Sequence, residues 1–189
     1  MGIFTFIETG IKDLVVIEPR VYGDERGFFL ETYHRDSFYD GGVKVDFVQD
    51  NQSHSRKGVL RGMHFQVNHP QGKLVRVISG EVFDAAVDMR KDSPTFSKWF
   101  GILLSGDNKR MMYIPEGFAH GFYVVSEYAD FLYKCTELYN AGDESGFRYD
   151  DARIAIDWPF CGVSPIVSEK DLALKSFNET IQRRKEEQK

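Results

Sequence analysis

The sequence predicts an all-β fold, a sandwich or barrel with one short helix near its C-terminal end. Three observations lead there. The 189 residues include 16 Phe and 9 Tyr alongside 17 Gly, a composition that suits pleated, half-buried surfaces joined by tight turns. Short apolar, β-branched and aromatic runs recur along the chain. The breaks between them carry turn chemistry: Gly41-Gly42, Ser79-Gly80, Asp92-Ser93-Pro94 and Ser105-Gly106-Asp107-Asn108. Many short strands at this spacing build sandwiches or barrels.

The expected strands run in order. Leu14–Glu18 stops at Pro19, and Phe28–Tyr33 follows the turn Asp24-Glu25-Arg26-Gly27. Phe47–Ser55, Val59–Gln66, Leu74–Ser79, Glu81–Asp88 and Ser97–Leu104 come next, then Arg110–Ile114, Gly121–Val125 and Phe131–Thr136. Arg56-Lys57-Gly58 reads as the turn of a hairpin between Asn51–Ser55 and Val59–Gln66. Asp36–Tyr39 is long enough for one helical turn before Gly41-Gly42. The main helix is expected from Ser168 to about Arg183, with Leu174, Phe177 and Ile181 on one face. The charged tail 183–189 has no apolar face and is expected to fray. No repeat, linker or low-complexity stretch divides the chain, so residues 1–189 read as one domain.

Composition also excludes. A net charge of −5 gives no general attraction to nucleic acid or to an anionic membrane surface. No apolar run is long enough to span a bilayer. Met1–Glu8 lacks a basic segment followed by an apolar stretch, and Phe6 stands where a myristoylation motif beginning at Gly2 wants Ser or Thr. A cytoplasmic location is the expectation. Cys135 and Cys161 have no metal-type spacing and read as free buried thiols.

Two clusters carry chemistry. In Arg61-Gly62-Met63-His64-Phe65-Gln66, strand alternation puts His64 and Gln66 on one face, leaving Arg61 pointing elsewhere or on a bulge. A lone strand histidine is equally well a hydrogen-bonded core residue. The second cluster, Pro115-Glu116-Gly117-Phe118-Ala119-His120-Gly121, resembles the second signature of the cupins, which are jelly-roll barrels. A metal-binding cupin has His-x-His and then a Glu seven residues before a Gly. Here His64-Phe65-Gln66 replaces His-x-His, and Lys73 stands seven residues before Gly80. Gln is a poor ligand, and an ammonium repels a cation, so no metal or other cofactor is expected. A cationic lysine suits a developing oxyanion, and a histidine suits proton transfer near neutral pH. Together they fit proton abstraction beside a carbonyl.

Further segments narrow the resemblance. Asp24–Glu31, Gln49–Ser53, Gly58–Gln66, Gln71–Arg76, Asp92–Phe96, Pro115–Gly121, Tyr133–Thr136 and Ser168–Asp171 stand in an order similar to that of the dTDP-4-dehydrorhamnose 3,5-epimerases, across roughly residues 8–175. The resemblance implies a cupin jelly-roll that forms homodimers. It also implies a substrate, a dTDP-4-keto-6-deoxyhexose, inverted at C3 and C5 through an enolate. It makes His64 the base, Asp171 its orienting partner, Lys73 the enolate stabiliser and Tyr133 the acid on the opposite face. Arg26, Glu31, Gln49, Asn51, Arg61, His120, Glu144 and Lys170 match positions that contact the nucleotide or sugar. Phe28 or Phe29 would stack on the thymine or on a partner subunit.

Simpler readings stand beside these. Ser168-x-x-Asp171 is also a capping box, and Tyr133 is also a strand aromatic. Lys73 and Arg76 are also exposed strand charges, His120 a turn residue, Arg26 a surface charge and Glu144 a loop acid. Other functions compatible with the motifs are a 3- or 5-epimerase alone, a 3,4-ketoisomerase and a non-catalytic sugar-binding cupin. Exchange of the N-terminal strand between protomers would cover the apolar run Ile3–Ile7, otherwise an open edge.

Overall fold

A computed structural model describes residues 2–160 and 162–186. Two antiparallel sheets face each other as a jelly-roll barrel, as the motifs imply. The first has six strands in the order β1 (Phe4–Glu8), β2 (Val15–Pro19), β10 (Met111–Ile114), β7 (Lys73–Ser79), β12 (Tyr128–Cys135) and β5 (Gln49–Arg56). The second has five, in the order β13 (Glu144–Gly146), β6 (Leu60–Gln66), β11 (Phe118–Val124), β8 (Glu81–Asp88) and β9 (Trp99–Ser105). A separate hairpin joins β3 (Val21–Asp24) to β4 (Gly27–Leu30).

Strand alternation sorts the apolar residues. Val75 and Val77 of β7 and Phe131 of β12 meet Val82 and Ala86 of β8 and Phe122 of β11 between the sheets. Each of the valines and phenylalanines contributes roughly 1.5–3 kcal/mol by leaving water. The neighbours that point the other way build two outer cores. Leu74 and Met111 pack with Phe4 and with Phe38 of helix α1 (Arg35–Asp40). Met63, Phe65 and Ala85 pack with Trp158 and with Phe177 and Ile181 of α3 (Phe177–Glu186). Among the described residues no helix is long and apolar enough to cross a membrane.

The structure corrects several expectations. β5 and β6 do not form a hairpin: β5 pairs with β12, while β6 pairs with β11 and β13. Gly58, at φ +83°, turns the chain, and Val59 bridges to Ile166, so the segment passes from one sheet to the other. The single C-terminal helix is two. α2 (Glu169–Leu172) ends at Ala173, and α3 restarts behind its own capping box, in which Glu179 accepts from the Ser176 N–H at 3.0 Å and Ser176 Oγ from the Glu179 N–H at 3.4 Å. α3 continues to Glu186, into the tail expected to fray, while residues 187–189 lie outside the described residues. β1 pairs with β2 of its own chain and forms the edge strand of the six-stranded sheet. Strands β3 and β13 are additional to those read from the sequence. Cys135 is a buried free thiol; Cys161 lies outside the described residues.

Candidate active site

A cavity of about 530 Å³ opens between the sheets, lined by residues of both walls and of α2. Its first wall depends on a bulge in β6. His64 pairs with His120, but Arg61 pairs with Phe122, so Gly62 and Met63 of β6 together oppose Gly121 of β11. The extra residue turns Arg61 and His64 toward the same cavity, which period-two alternation forbids. Gly62 makes the bulge possible. It sits at φ +132°, and a Cβ there would lie 2.5 Å from Gly121 Cα. Gln66, by contrast, leaves the cavity. Its side-chain amide donates to the His69 and Leu138 carbonyls at 2.6 and 3.3 Å and accepts from the Asn140 N–H at 2.7 Å.

His64 is oriented from α2. Its Nε2 lies 2.7 Å from Asp171 Oδ1, and Asp171 Oδ2 accepts from the Gly62 N–H at 3.4 Å. Because an ionised carboxylate only accepts, Nε2 carries the proton and Nδ1 of the neutral ring keeps its lone pair. Burial alone would raise the Asp171 carboxyl. Its bonds to His64, to the Gly62 N–H and to Ser168 instead hold it below the usual carboxylate range. The cap reading also stands, divided between two residues. Ser168 Oγ accepts from the Asp171 N–H at 3.1 Å, so Ser168 caps α2 and the Asp171 carboxylate is left for His64.

His120, opposite His64 across the ladder, has its own carboxylate. Its Nε2 lies 3.0 and 2.9 Å from the two oxygens of the fully buried Asp84. A lone Asp in the apolar run Val82-Phe83-Asp84-Ala85-Ala86 was the sequence signal for this second pair.

Lys73 and Tyr133 stand on the other wall. They come from the neighbouring strands β7 and β12 of the six-stranded sheet. Lys73 pairs with Cys135 in that ladder, so ammonium and thiol are neighbours. Burial lowers the Lys73 pKa, against the opposing pull of Cys135, Asp84 and Glu144. Burial raises the Tyr133 hydroxyl, so it holds its proton through the neutral range. The same β12 register sets Asn51 beside Tyr133 and Ser53 beside Phe131.

Lys170 of the cavity lining belongs to a network with Glu144, Tyr139 and Gln49. Glu144 is not a solvated loop acid. It lies on β13 with a side chain 13% exposed, its Oε1 4.0 Å from His64 Nε2 and its Oε2 2.8 Å from Lys170 Nζ. Burial would raise its pKa, but Lys170, Tyr139 and His64 hold it low. Tyr139, which the sequence did not single out, donates its hydroxyl to Glu144 and its N–H to Gln49 Oε1 at 2.8 Å. Gln49 also donates to Asn51 Oδ1 at 2.9 Å. Arg61 reaches in from the bulge, its guanidinium donating to Ser55 Oγ at 3.3 and 3.4 Å.

Gln49, Asn51 and Glu144 stand beside the cavity rather than in its lining, and four further expected contacts are brought neither to it nor to that network within one chain. Arg26 sits in the hairpin turn with its side chain 85% exposed and pairs with Asp24 at 2.5 Å. Phe28 and Phe29 are 59% and 65% exposed on β4, with Lys109 over the Phe28 ring at 4.1 Å. Glu31 directly follows that hairpin and does not line the cavity.

Comparison with known proteins agrees with this geometry. The profile of the dTDP-4-dehydrorhamnose 3,5-epimerase family matches residues 8–179. The dTDP-4-dehydrorhamnose 3,5-epimerases of Methanothermobacter thermautotrophicus and Salmonella typhimurium are 53% and 52% identical to it, over 95% and 93% of this chain and 97% and 96% of theirs. A crystal structure of the dTDP-6-deoxy-D-glucose-3,5-epimerase of Legionella pneumophila, in complex with dTDP-4-keto-L-rhamnose, superposes with a TM-score of 0.90 at 53% identity over 93% of both chains. The chain belongs to the dTDP-4-dehydrorhamnose 3,5-epimerase family.

Proposed function

We propose that the chain converts dTDP-4-dehydro-6-deoxy-D-glucose to dTDP-4-dehydro-L-rhamnose, a step of dTDP-L-rhamnose biosynthesis, by inverting C5 and C3. The family and its relatives support this reaction. The observation that carries it is the placement of His64 on one sheet and of Lys73 and Tyr133 on the other, around one cavity. Inversion needs that opposition, because a base that returns its own proton restores the starting configuration.

His64 Nδ1 takes the proton from the carbon beside the C4 ketone. The electron pair moves into the ring and onto the ketone oxygen, where the Lys73 ammonium stabilises the enolate. Tyr133 delivers its proton to the same carbon from the far side, and the resulting phenolate and imidazolium exchange protons with solvent before the next turn. Asp171 keeps His64 in the tautomer that can accept. Arg61, with its fork of donors, addresses the pyrophosphate, and Gln49, Asn51, His120, Glu144 and Lys170 contact the nucleotide or sugar. The chemistry needs no metal or cofactor: proton acceptor, oxyanion partner and proton donor are all side chains.

A homodimer is part of this reading. The β3–β4 hairpin exposes Val21, Tyr22, Phe28 and Phe29, an apolar surface that a second copy would cover. That copy would receive Arg26, Phe28, Phe29 and Glu31 near its own cavity. Residues 1–189 act as one domain, since the inner and outer cores share the same two sheets.

Incubation with dTDP-4-keto-6-deoxyglucose in deuterated buffer tests the reaction. Deuterium at both C3 and C5 of an inverted product is expected. Label at one carbon marks a single-site epimerase, and no label marks a binding protein.

A further inference from the structure

The wall opposite His64 carries a polar ladder on β5, and one of its members has no partner. Asn51 donates to Cys135 Sγ at 3.6 Å, and Ser55 accepts both bonds from Arg61. Ser53, between them on the same face, lines the cavity. Its hydroxyl oxygen is buried and makes no hydrogen bond, the one such side-chain atom among the described residues. Buried hydroxyls are normally paired, because leaving one unpaired forfeits its bond to water. Nothing in the fold requires a serine here: its partner across the ladder is Phe131, which alanine would suit as well. No bond holds Ser53 in its rotamer, so a turn about χ1 costs it no partner.

We propose that Ser53 is a positioning residue for the nucleotide sugar and donates its hydroxyl proton to a phosphate oxygen of the pyrophosphate held by Arg61. This rests on the reading of the cavity as the epimerase site. The choice of a phosphate follows from the neighbour on the ladder: Ser55, two residues along the same face, holds the Arg61 guanidinium. A hydroxyl beside an arginine that faces a dianionic group finds an acceptor there, and a hydrogen bond to a charged acceptor is among the stronger ones. Such a bond anchors the diphosphate in ground state and transition state alike, so it acts on binding and leaves the reacting carbons to His64 and Tyr133.

The test compares Ser53→Ala and Ser53→Thr with the unaltered chain. Kinetics are measured with dTDP-4-keto-6-deoxyglucose, and titration calorimetry with dTDP and with thymidine. Turnover and dTDP binding by the unaltered chain establish the site independently of Ser53. The expected result for Ser53→Ala is a rise of about tenfold to a hundredfold in KM and in the dTDP dissociation constant. Thymidine affinity, melting temperature and kcat should stay nearly unchanged, and Ser53→Thr should recover part of the loss. Unchanged dTDP affinity in Ser53→Ala overturns the proposal. So does weakening confined to the sugar nucleotide, which assigns the hydroxyl to the hexose instead, and so does an equal loss for thymidine with a lowered melting temperature, which makes Ser53 structural.

Discussion

His64 and Asp171 are 107 residues apart in the chain and 2.7 Å apart in the cavity. The bond joins the bulged strand of the five-stranded sheet to the first turn of α2, and it engages the Nε2 side of the imidazole. His64→Ala should lose at least a factor of roughly 10²–10⁴ in kcat, the range of general base catalysis, while still binding dTDP. Asp171→Asn should lower kcat with little change in KM, because an amide can also donate and so favours the wrong tautomer. A variant that changes only the melting temperature would leave Asp171 as a helix residue and no more.

Tyr133→Phe separates proton removal from inversion. The ring is kept and the transferable proton is lost. His64 and Lys73 still form the enolate, so C5 should take up deuterium from solvent while little inverted product accumulates. Mass spectrometry and proton NMR of recovered substrate read both quantities. Normal inversion in this variant would assign the acid to another group.

The alkaline side of the pH profile should belong to Lys73. Burial lowers its pKa, so it loses its charge below about 10.4, the ordinary lysine value, and the enolate then loses its cation. Tyr133 is shifted the other way, upward, and stays protonated through the same range. A fall in kcat as pH rises is therefore expected, with its midpoint moved upward in Lys73→Arg. A limb that is identical in Lys73→Arg would exclude Lys73 as its origin.

Gly62→Ala should fail through backbone crowding. The added Cβ would lie 2.5 Å from Gly121 Cα at a φ of +132° that side chains avoid. A loss of about 3 kcal/mol is expected, a fall of roughly 10 °C in melting temperature, with activity falling too because the bulge aims both Arg61 and His64. An unchanged melting temperature would show that β6 accommodates the methyl by shifting.

Chelator treatment should leave the rate unaltered. The position that would be the second histidine of a metal cupin is Gln66, committed to three backbone groups of its own loops. The position of the carboxylate ligand is Lys73. Loss of activity on chelation, restored by one divalent metal, would contradict this.

Local chemistry determined much of this protein in advance. Alternating apolar runs and turn residues specified an all-β chain, because strand period and turn preference are properties of a few neighbouring residues. His64, Lys73, His120 and Tyr133 were legible because each stands in a motif of distinctive residues, and the helix cap at Ser168 was legible from its spacing. What needed the tertiary structure was pairing. A turn at Arg56-Lys57-Gly58 looks alike whether the chain folds back on itself or crosses to the facing sheet, and only the partners β12 and β11 decided for crossing. The bulge that brings Arg61 to the cavity depends on contact between Gly62 and Gly121, 59 positions apart in sequence and packed backbone to backbone. Asp84, Ser53 and Tyr139 likewise acquired their roles from neighbours brought by other strands. Hydrogen bonding and burial are set by position in space, and for these residues position is a property of the whole barrel.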